Sequence, residues 1–283
     1  MLGISHPDDL EWQYNPRKAV PDVEEFARRT AALSAGTRQR RPEARLDLRY
    51  GAGKLATLDV FPAPAAGAPV HVFLHGGYWR GRDKSDYSYV ADALVPLGLT
   101  TVVMNYDLCP AVELPAIVRQ VRDGLQWIHA HARDWGGDPA AITASGHSAG
   151  AHLIAAALPS AGDAPAAWAP RAAVLVSGIY ELEPVLSVSV NQEIRLRAEQ
   201  VDELSPMRHP PTPAVPLVLV AGGAEPSSWV KQSHDFAKIC TAGGGSAIYV
   251  EMPGAHHYSI MNALEHAHAP LARLIAAYAQ AYT

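Results

Sequence analysis

The chain has 283 residues, 48% hydrophobic and 18% charged, with a net charge of −5 and an isoelectric point near 6.2. That balance gives no reason to expect nucleic-acid or membrane binding, and no apolar run approaches the roughly 20 residues of a membrane span. The first ten residues lack the basic-then-apolar pattern of a secretory leader, and Cys109 and Cys240 show neither metal nor redox spacing, so the expectation is a cytoplasmic protein with reduced, packed cysteines.

Residues 1–45 are polar and helical in part, with 22–32 the best helix. Residues 45–50 and 55–61 read as early strands, and the Pro/Ala/Gly run 62–69 turns the chain into the apolar strand 70–74. A helix is expected over 86–97 and a strand over 100–105. Residues 114–132 form a long helix, because Ile117, Val118, Val121, Leu125 and Ile128 recur at helical spacing. Strand 141–145 leads into an Ala/Leu/Ile-rich helix from 149 to 158. Strands follow at 172–177 and 216–221, a helix at 233–241, a strand at 247–251 and a final helix at 270–282. Strands alternating with helices, several of them continuously apolar, predict a mostly parallel sheet covered on both faces. No linker divides the chain, so one domain is expected over 1–283, with an N-terminal extension at 1–45. Residues 180–211 break the rhythm with mixed charge and scattered prolines. They read as a small cap or binding-loop insertion on the ligand side of the sheet.

Two motifs carry chemistry. Gly146-His147-Ser148-Ala149-Gly150 matches G-x-S-x-G between a strand and a helix, the context of a nucleophile elbow. The turn would lift the Ser148 hydroxyl out of the sheet and set the Ala149 amide beside it at a helix N-terminus. About 70 residues upstream, His75-Gly76-Gly77-Tyr78-Trp79 follows the 70–74 strand. A strand ending in His-Gly-Gly is an oxyanion-loop signature, in which backbone amides near Gly77 and Tyr78 point at the developing negative charge.

A serine nucleophile needs a base and an orienting carboxylate, in the chain order Ser, acid, His. Past the elbow lie His152, His209, His234, His256, His257, His266 and His268. The base belongs in the loop that leaves the last strand, where His256 and His257 fit. His266 and His268 read as solvated helix residues, and the residue pattern leaves the choice between His256 and His257 open. His152, one helical turn beyond Ser148, reads as a packing or hydrogen-bonding residue. Glu225 is the first acid after the 216–221 strand. Asp235 lies inside a predicted helix, and Asp202 or Glu203 would serve only from the preceding loop.

His75-Gly76-Gly77-Tyr78-Trp79 and Gly146 through Leu153 together resemble the kynurenine formamidases (arylformamidases) of the α/β-hydrolase superfamily. The segment from Glu225-Pro226 to Gln232-Ser233 resembles that family's acid loop. Gly254-Ala255-His256-His257-Tyr258-Ser259-Ile260 resembles its histidine loop, where the catalytic histidine precedes an aromatic. The resemblance therefore selects His257, and Glu225 stands where family members carry Asp. It implies an α/β-hydrolase fold and hydrolysis of N-formylkynurenine or another aryl formamide by Ser148, His257 and Glu225. Gly77, Tyr78 and Ala149 would form the oxyanion hole, and Gly76, Tyr78, Trp79, Tyr258 and the cap the substrate pocket. The chemistry calls for no metal or organic cofactor. A small molecule is the expected partner, with room for a homodimer. A short-chain carboxylesterase is the alternative, and a catalytically dead binding module is disfavoured by the ordered Ser, acid and His.

Overall fold

A computed structural model describes residues 9–160, 163 and 166–281. The end of the expected last helix and residues 1–8 lie outside the described residues. Eight strands form one sheet: β1 (Arg45–Arg49), β2 (Thr57–Phe61), β3 (Ala68–Leu74), β4 (Thr100–Met104), β5 (Gly137–His147), β6 (Ala173–Val176), β7 (Leu217–Gly222) and β8 (Ala247–Met252). Their order is β1-β2-β4-β3-β5-β6-β7-β8. β1, β2 and β4 pair antiparallel, and every pair from β4 to β8 is parallel. The helices are α1 (Leu10–Tyr14), α2 (Pro16–Ala19), α3 (Val23–Arg40), α4 (Val90–Leu94), α5 (Leu114–His131), α6 (Ala149–Ala157), α7 (Asn191–Ile194), α8 (Ala198–Leu204), α9 (Ser227–Ala242) and α10 (Pro270–Gln280).

The central strands are apolar throughout because both faces are covered. On β3, Val70, Val72 and Leu74 face one core with Ile117, Val121 and Leu125 of α5 and Leu153 and Ile154 of α6. Phe73 faces the other, with Val174, Val176, Val218, Val220 and Leu271 and Ile275 of α10. The period-two alternation of a strand thus splits one apolar run between two layers. His71 is the polar exception. It is fully buried and bonds Thr143 Oγ1 at 2.9 Å and Ser145 Oγ at 2.7 Å, both on neighbouring β5.

Three expected helices depart from the sequence reading, and β5 runs over Gly137–His147 where 141–145 is expected. The expected helix over 86–97 is a 3-10 turn (Lys84–Asp86), then α4, then a 3-10 turn (Val95–Leu97). Pro96 has no N–H to continue an α-helix, so the last turn tightens and ends at Gly98. α9 begins at Ser227, six residues early, because Pro226 at its N-cap has an extended ψ and Ser227 starts the turn. α3 runs on to Arg40, well past 32.

Strand register positions the site. His147 pairs with Val176, Val176 with Val220, and Gly222 with Met252. The loops after β5, β6, β7 and β8 therefore leave one edge of the sheet side by side. β3 joins them, since Leu74 pairs with Gly146. This is the carboxyl edge, where open α/β sheets bind ligands.

Candidate active site

Ser148 occupies the turn between β5 and α6 with φ 54° and ψ −118°. That conformation is strained for a non-glycine residue and marks a functional position. The close approach of strand and helix explains both flanking glycines. A Cβ on Gly146 would collide with the backbone of Gly150, and one on Gly150 would collide with the carbonyl oxygens of Leu74 and His75. The Ser148 N–H donates to Val176 O at 2.8 Å, which locks the turn to β6.

From Ser148 a hydrogen-bonded line runs through two buried groups. Ser148 Oγ lies 3.0 Å from His257 Nε2, and His257 Nδ1 lies 2.6 Å from Glu225 Oε1. With Nδ1–H donating to the carboxylate, Nε2 is free to accept the serine proton. Glu225 comes from the turn after β7. Its other oxygen, Oε2, accepts from the Gly222 N–H and from Ser177 Oγ, each at 3.0 Å. The carboxylate is thus held at both ends. His257 comes from the loop after β8 and packs edge-on to Trp229 at 4.8 Å between ring centroids. The Trp229 indole donates to Ser177 O at 2.7 Å.

The structure separates the two loop histidines. His256 faces away from Ser148, against Phe26, and its Nδ1 accepts from the Tyr258 and Ser259 amides. Asp235 pairs with Lys231 on α9, and Asp202 pairs with His209 on the surface. Neither touches His257.

The loop after β3 carries an unusual run of positive φ at non-glycine residues: Tyr78 at 54°, Trp79 at 57° and Arg82 at 74°. Strain of this kind persists only where contacts over-determine it. Tyr78 OH donates to Tyr14 O at 2.7 Å, and Trp79 O accepts from the Cys109 amide at 2.8 Å. His75, stacked between Tyr87 and Tyr106, sets Nε2 2.8 Å from Asn105 Oδ1. Asn105 in turn donates to Asp83 Oδ2 at 2.7 Å. Gly77 and Tyr78 border the cavity at Ser148. Ala149 follows Ser148 as the first residue of α6, where helix amides have no intrahelical acceptor.

The cavity over Ser148 has a volume of about 290 Å³. Phe26, Tyr78, Tyr87, Tyr89 and Tyr258 give it an aromatic wall. Two sets of expectations are corrected here, the lining residues Trp79 and Gly76 and the roof. Trp79 does not line it. The ring is fully buried beneath the loop, and its indole N–H donates to His152 Nδ1 at 3.1 Å. The His152 Nε2–H then donates to Leu204 O at 2.8 Å, which fixes the tautomer. Burial holds this imidazole neutral, with its pKa lowered to about 4. Gly76 is likewise a packing position, tight against His147 and Ser148. The second correction concerns the roof. No residue of 180–211 lines the cavity, whereas Asn15, Pro16, Arg17, Phe26, Ala27 and Thr30 of the N-terminal segment do. Residues 180–211 instead brace that segment from outside, where Ser189 donates from N and Oγ to the Glu11 carboxylate.

Sequence reasoning missed His147, Ser177 and Trp229. The His147 Nε2–H donates to His257 O at 2.8 Å, tying the elbow to the histidine loop. Burial and the neighbouring His257 push its pKa well down. Its place as the first x of G-x-S-x-G was the one available signal. Ser177 and Trp229 gave none, because their partners are remote in sequence.

The fold, the elbow and the line of Ser148, His257 and Glu225 define a hydrolase of the α/β type. The α/β hydrolase fold family matches residues 71–261, and the chain belongs to it. Within that family it is similar to kynurenine formamidase of Salmo salar, with 30% identity over 91% of each chain. It is also similar to esterase LipQ of Mycobacterium tuberculosis, with 31% identity over 89% of this chain and 66% of that one. A solved structure from Silicibacter, described as a candidate thioesterase, superposes with a TM-score of 0.81 at 26% identity, covering 94% of this chain and 98% of the other.

Proposed function

We propose that the chain hydrolyses an aryl formamide of the N-formylkynurenine type, with Ser148 as nucleophile, His257 as base and Glu225 as the orienting acid. The observation that carries this reading is the aromatic-walled cavity directly over Ser148, of a volume suited to one substituted ring. The similarity to kynurenine formamidase over nine-tenths of the chain supports it. In the reaction, Ser148 Oγ attacks the formyl carbon while its proton passes to His257 Nε2. Glu225 stabilises the imidazolium, and the amides of Gly77, Tyr78 and Ala149 receive the oxyanion. Collapse of the intermediate breaks the C–N bond. The arylamine leaves with the proton from His257, and a formyl ester remains on Ser148. Water, deprotonated by His257, attacks that ester and releases formate.

A second reading, hydrolysis of short-chain esters, is favoured by the similarity to esterase LipQ. The same groups perform both reactions, and the fold does not choose between them. A comparison of kcat/KM on N-formylkynurenine and on p-nitrophenyl acetate and butyrate tests the choice. The formamide is expected to be the better substrate. Ester turnover with formamide hydrolysis at background would overturn the first reading in favour of the second.

A further inference from the structure

The cavity over Ser148 is lined by both aromatic rings and arginines. Arg17, Arg80 and Arg82 all line it, and no Asp or Glu does among the described residues. Arg17 comes from α2, and Arg80 and Arg82 come from the loop after β3. Two of the three have counter-charges outside the cavity. Arg17 pairs with Glu24 at 2.9 Å, and Arg80 pairs through one terminal nitrogen with Glu193 at 2.6 Å. Arg82 makes no ion pair among the described residues. All three guanidinium groups act electrostatically on Tyr258, which also lines the cavity, and favour its ionisation against the larger opposing effect of burial. Arg82 also acts on His147, next to Ser148 in the elbow and itself a lining residue.

A second observation points to a ligand. The Nε of Arg80 and the hydroxyl of Tyr89 are buried polar atoms that lack a protein hydrogen-bond partner, and both residues line this cavity. Leaving a buried donor unsatisfied is costly, and a charged guanidinium N–H more so. Donors with excess positive charge and no acceptor call for an oxyanion that arrives with the substrate. Arginine is suited to that task, because its planar fork matches a carboxylate.

We propose that this cavity selects substrates bearing a carboxylate on the leaving-group side of the scissile bond, with Arg82 and Arg80 as the residues that hold it. The inference rests on Ser148 being the reacting centre, and it narrows the substrate class to aryl compounds with an anionic substituent. It separates this site from one for neutral esters, for which buried cationic donors would remain unpaired.

Two product-like compounds of matched shape test the proposal without turnover: 3-aminophenylacetate and its neutral amide, titrated calorimetrically into the wild-type protein and Arg82→Gln. The carboxylate is expected to bind about tenfold more tightly than the amide. That advantage should shrink as NaCl is raised and collapse toward one in Arg82→Gln, with Arg82→Lys retaining part of it. Equal affinities, a carboxylate that does not bind, or a preference undiminished in Arg82→Gln would overturn the proposal. Should Arg82→Gln fail to fold, Arg82→Lys and the salt series on the wild-type protein decide, and a salt-independent preference counts against it. Hydrolysis of the corresponding N-formyl compounds is measured in parallel. A binding preference without formamide turnover would sustain the anion site and sink the formamidase reading, and turnover without preference would do the reverse.

Discussion

The floor and the roof of the cavity are built on opposite principles. The floor is the carboxyl edge of the parallel sheet. Its functional groups sit one to four residues past the ends of β3, β5, β6 and β7, or five past the end of β8, and Ser148, Ser177, Glu225 and His257 are each held by at least one hydrogen bond to a neighbouring loop or strand. The roof is the N-terminal segment, which among its described residues 9–44 adds no strand to the sheet and reaches the site through a few contacts. Tyr78 OH donates to Tyr14 O, and the Ser228 amide donates to Gln13 Oε1. Phe26 on α3 stacks over Tyr258 at 6.2 Å. The lesson is a division of labour. Reacting groups belong to the rigid scaffold, where small displacements are costly. Part of the wall and of the charge, Phe26 and Arg17, belongs to a surface segment that can vary without disturbing the line from Ser148 to Glu225.

The largest expected effect lies on the floor. Ser148→Ala should lower kcat by about 10⁶-fold, and His257→Ala by nearly as much, because nucleophile and base act as a unit. His256→Ala should be mild. Steady-state assays on the purified, folded variants check this, and an inactive His256→Ala beside an active His257→Ala would reverse the reading of the pair.

Glu225→Gln should cost about 10³- to 10⁴-fold in kcat, since the amide no longer stabilises the imidazolium. Ser177→Ala should cost less, because Gly222 still donates to the same oxygen. Equal losses in the two variants would mean that Ser177 does more than steady the carboxylate.

A pair of aromatic truncations separates floor from roof. Trp79→Ala removes a fully buried ring and its bond to His152, and should destabilise the fold by about 3–5 kcal/mol. Phe26→Ala should instead raise KM several-fold with a smaller change in melting temperature. Melting curves and KM values on both variants make the comparison, and a KM effect confined to Trp79→Ala would break it.

Acid should loosen the scaffold through its buried histidines. Burial lowers the pKa of His71 to about 3 and that of His152 to about 4, against an ordinary 6.5. The unfolded chain takes up these protons near pH 6.5 and the folded chain does not. Stability is therefore full above about 6.5 and is lost as pH falls toward 4 and then 3. Each histidine contributes up to about 1.4 kcal/mol per pH unit in that window. Urea midpoints should fall from pH 7 to pH 5, and a midpoint that rises on acidification would contradict the assignment.

The smallest expected effect is at the seam. Tyr78→Phe removes the bond to Tyr14 O and should cost about 1 kcal/mol, with a modest rise in KM as the roof loosens. An unchanged KM would show that the N-terminal segment is held without that bond.

The sheet and the groups on its edge were legible in the sequence for a local reason. Apolar runs define β3 to β7, and the steric demands of the elbow and of the loop after β3 are met by glycines within a few residues of the reacting atoms. Chain order among loops then narrowed the acid to Glu225, and the family resemblance chose His257 over His256. Tertiary structure decided what encloses that line. Phe26, Arg17 and Asn15 carry no motif, because their role comes from where α2 and α3 come to rest and not from any neighbour in sequence. Residues 180–211 had the composition of a cap yet became a brace. Trp79 followed the oxyanion glycines yet turned inward, because a run of positive φ reversed the loop and His152 offered its indole a buried acceptor. A backbone turn is encoded by the residues that make it, whereas the wall of a cavity is encoded by whichever surfaces the finished fold brings together.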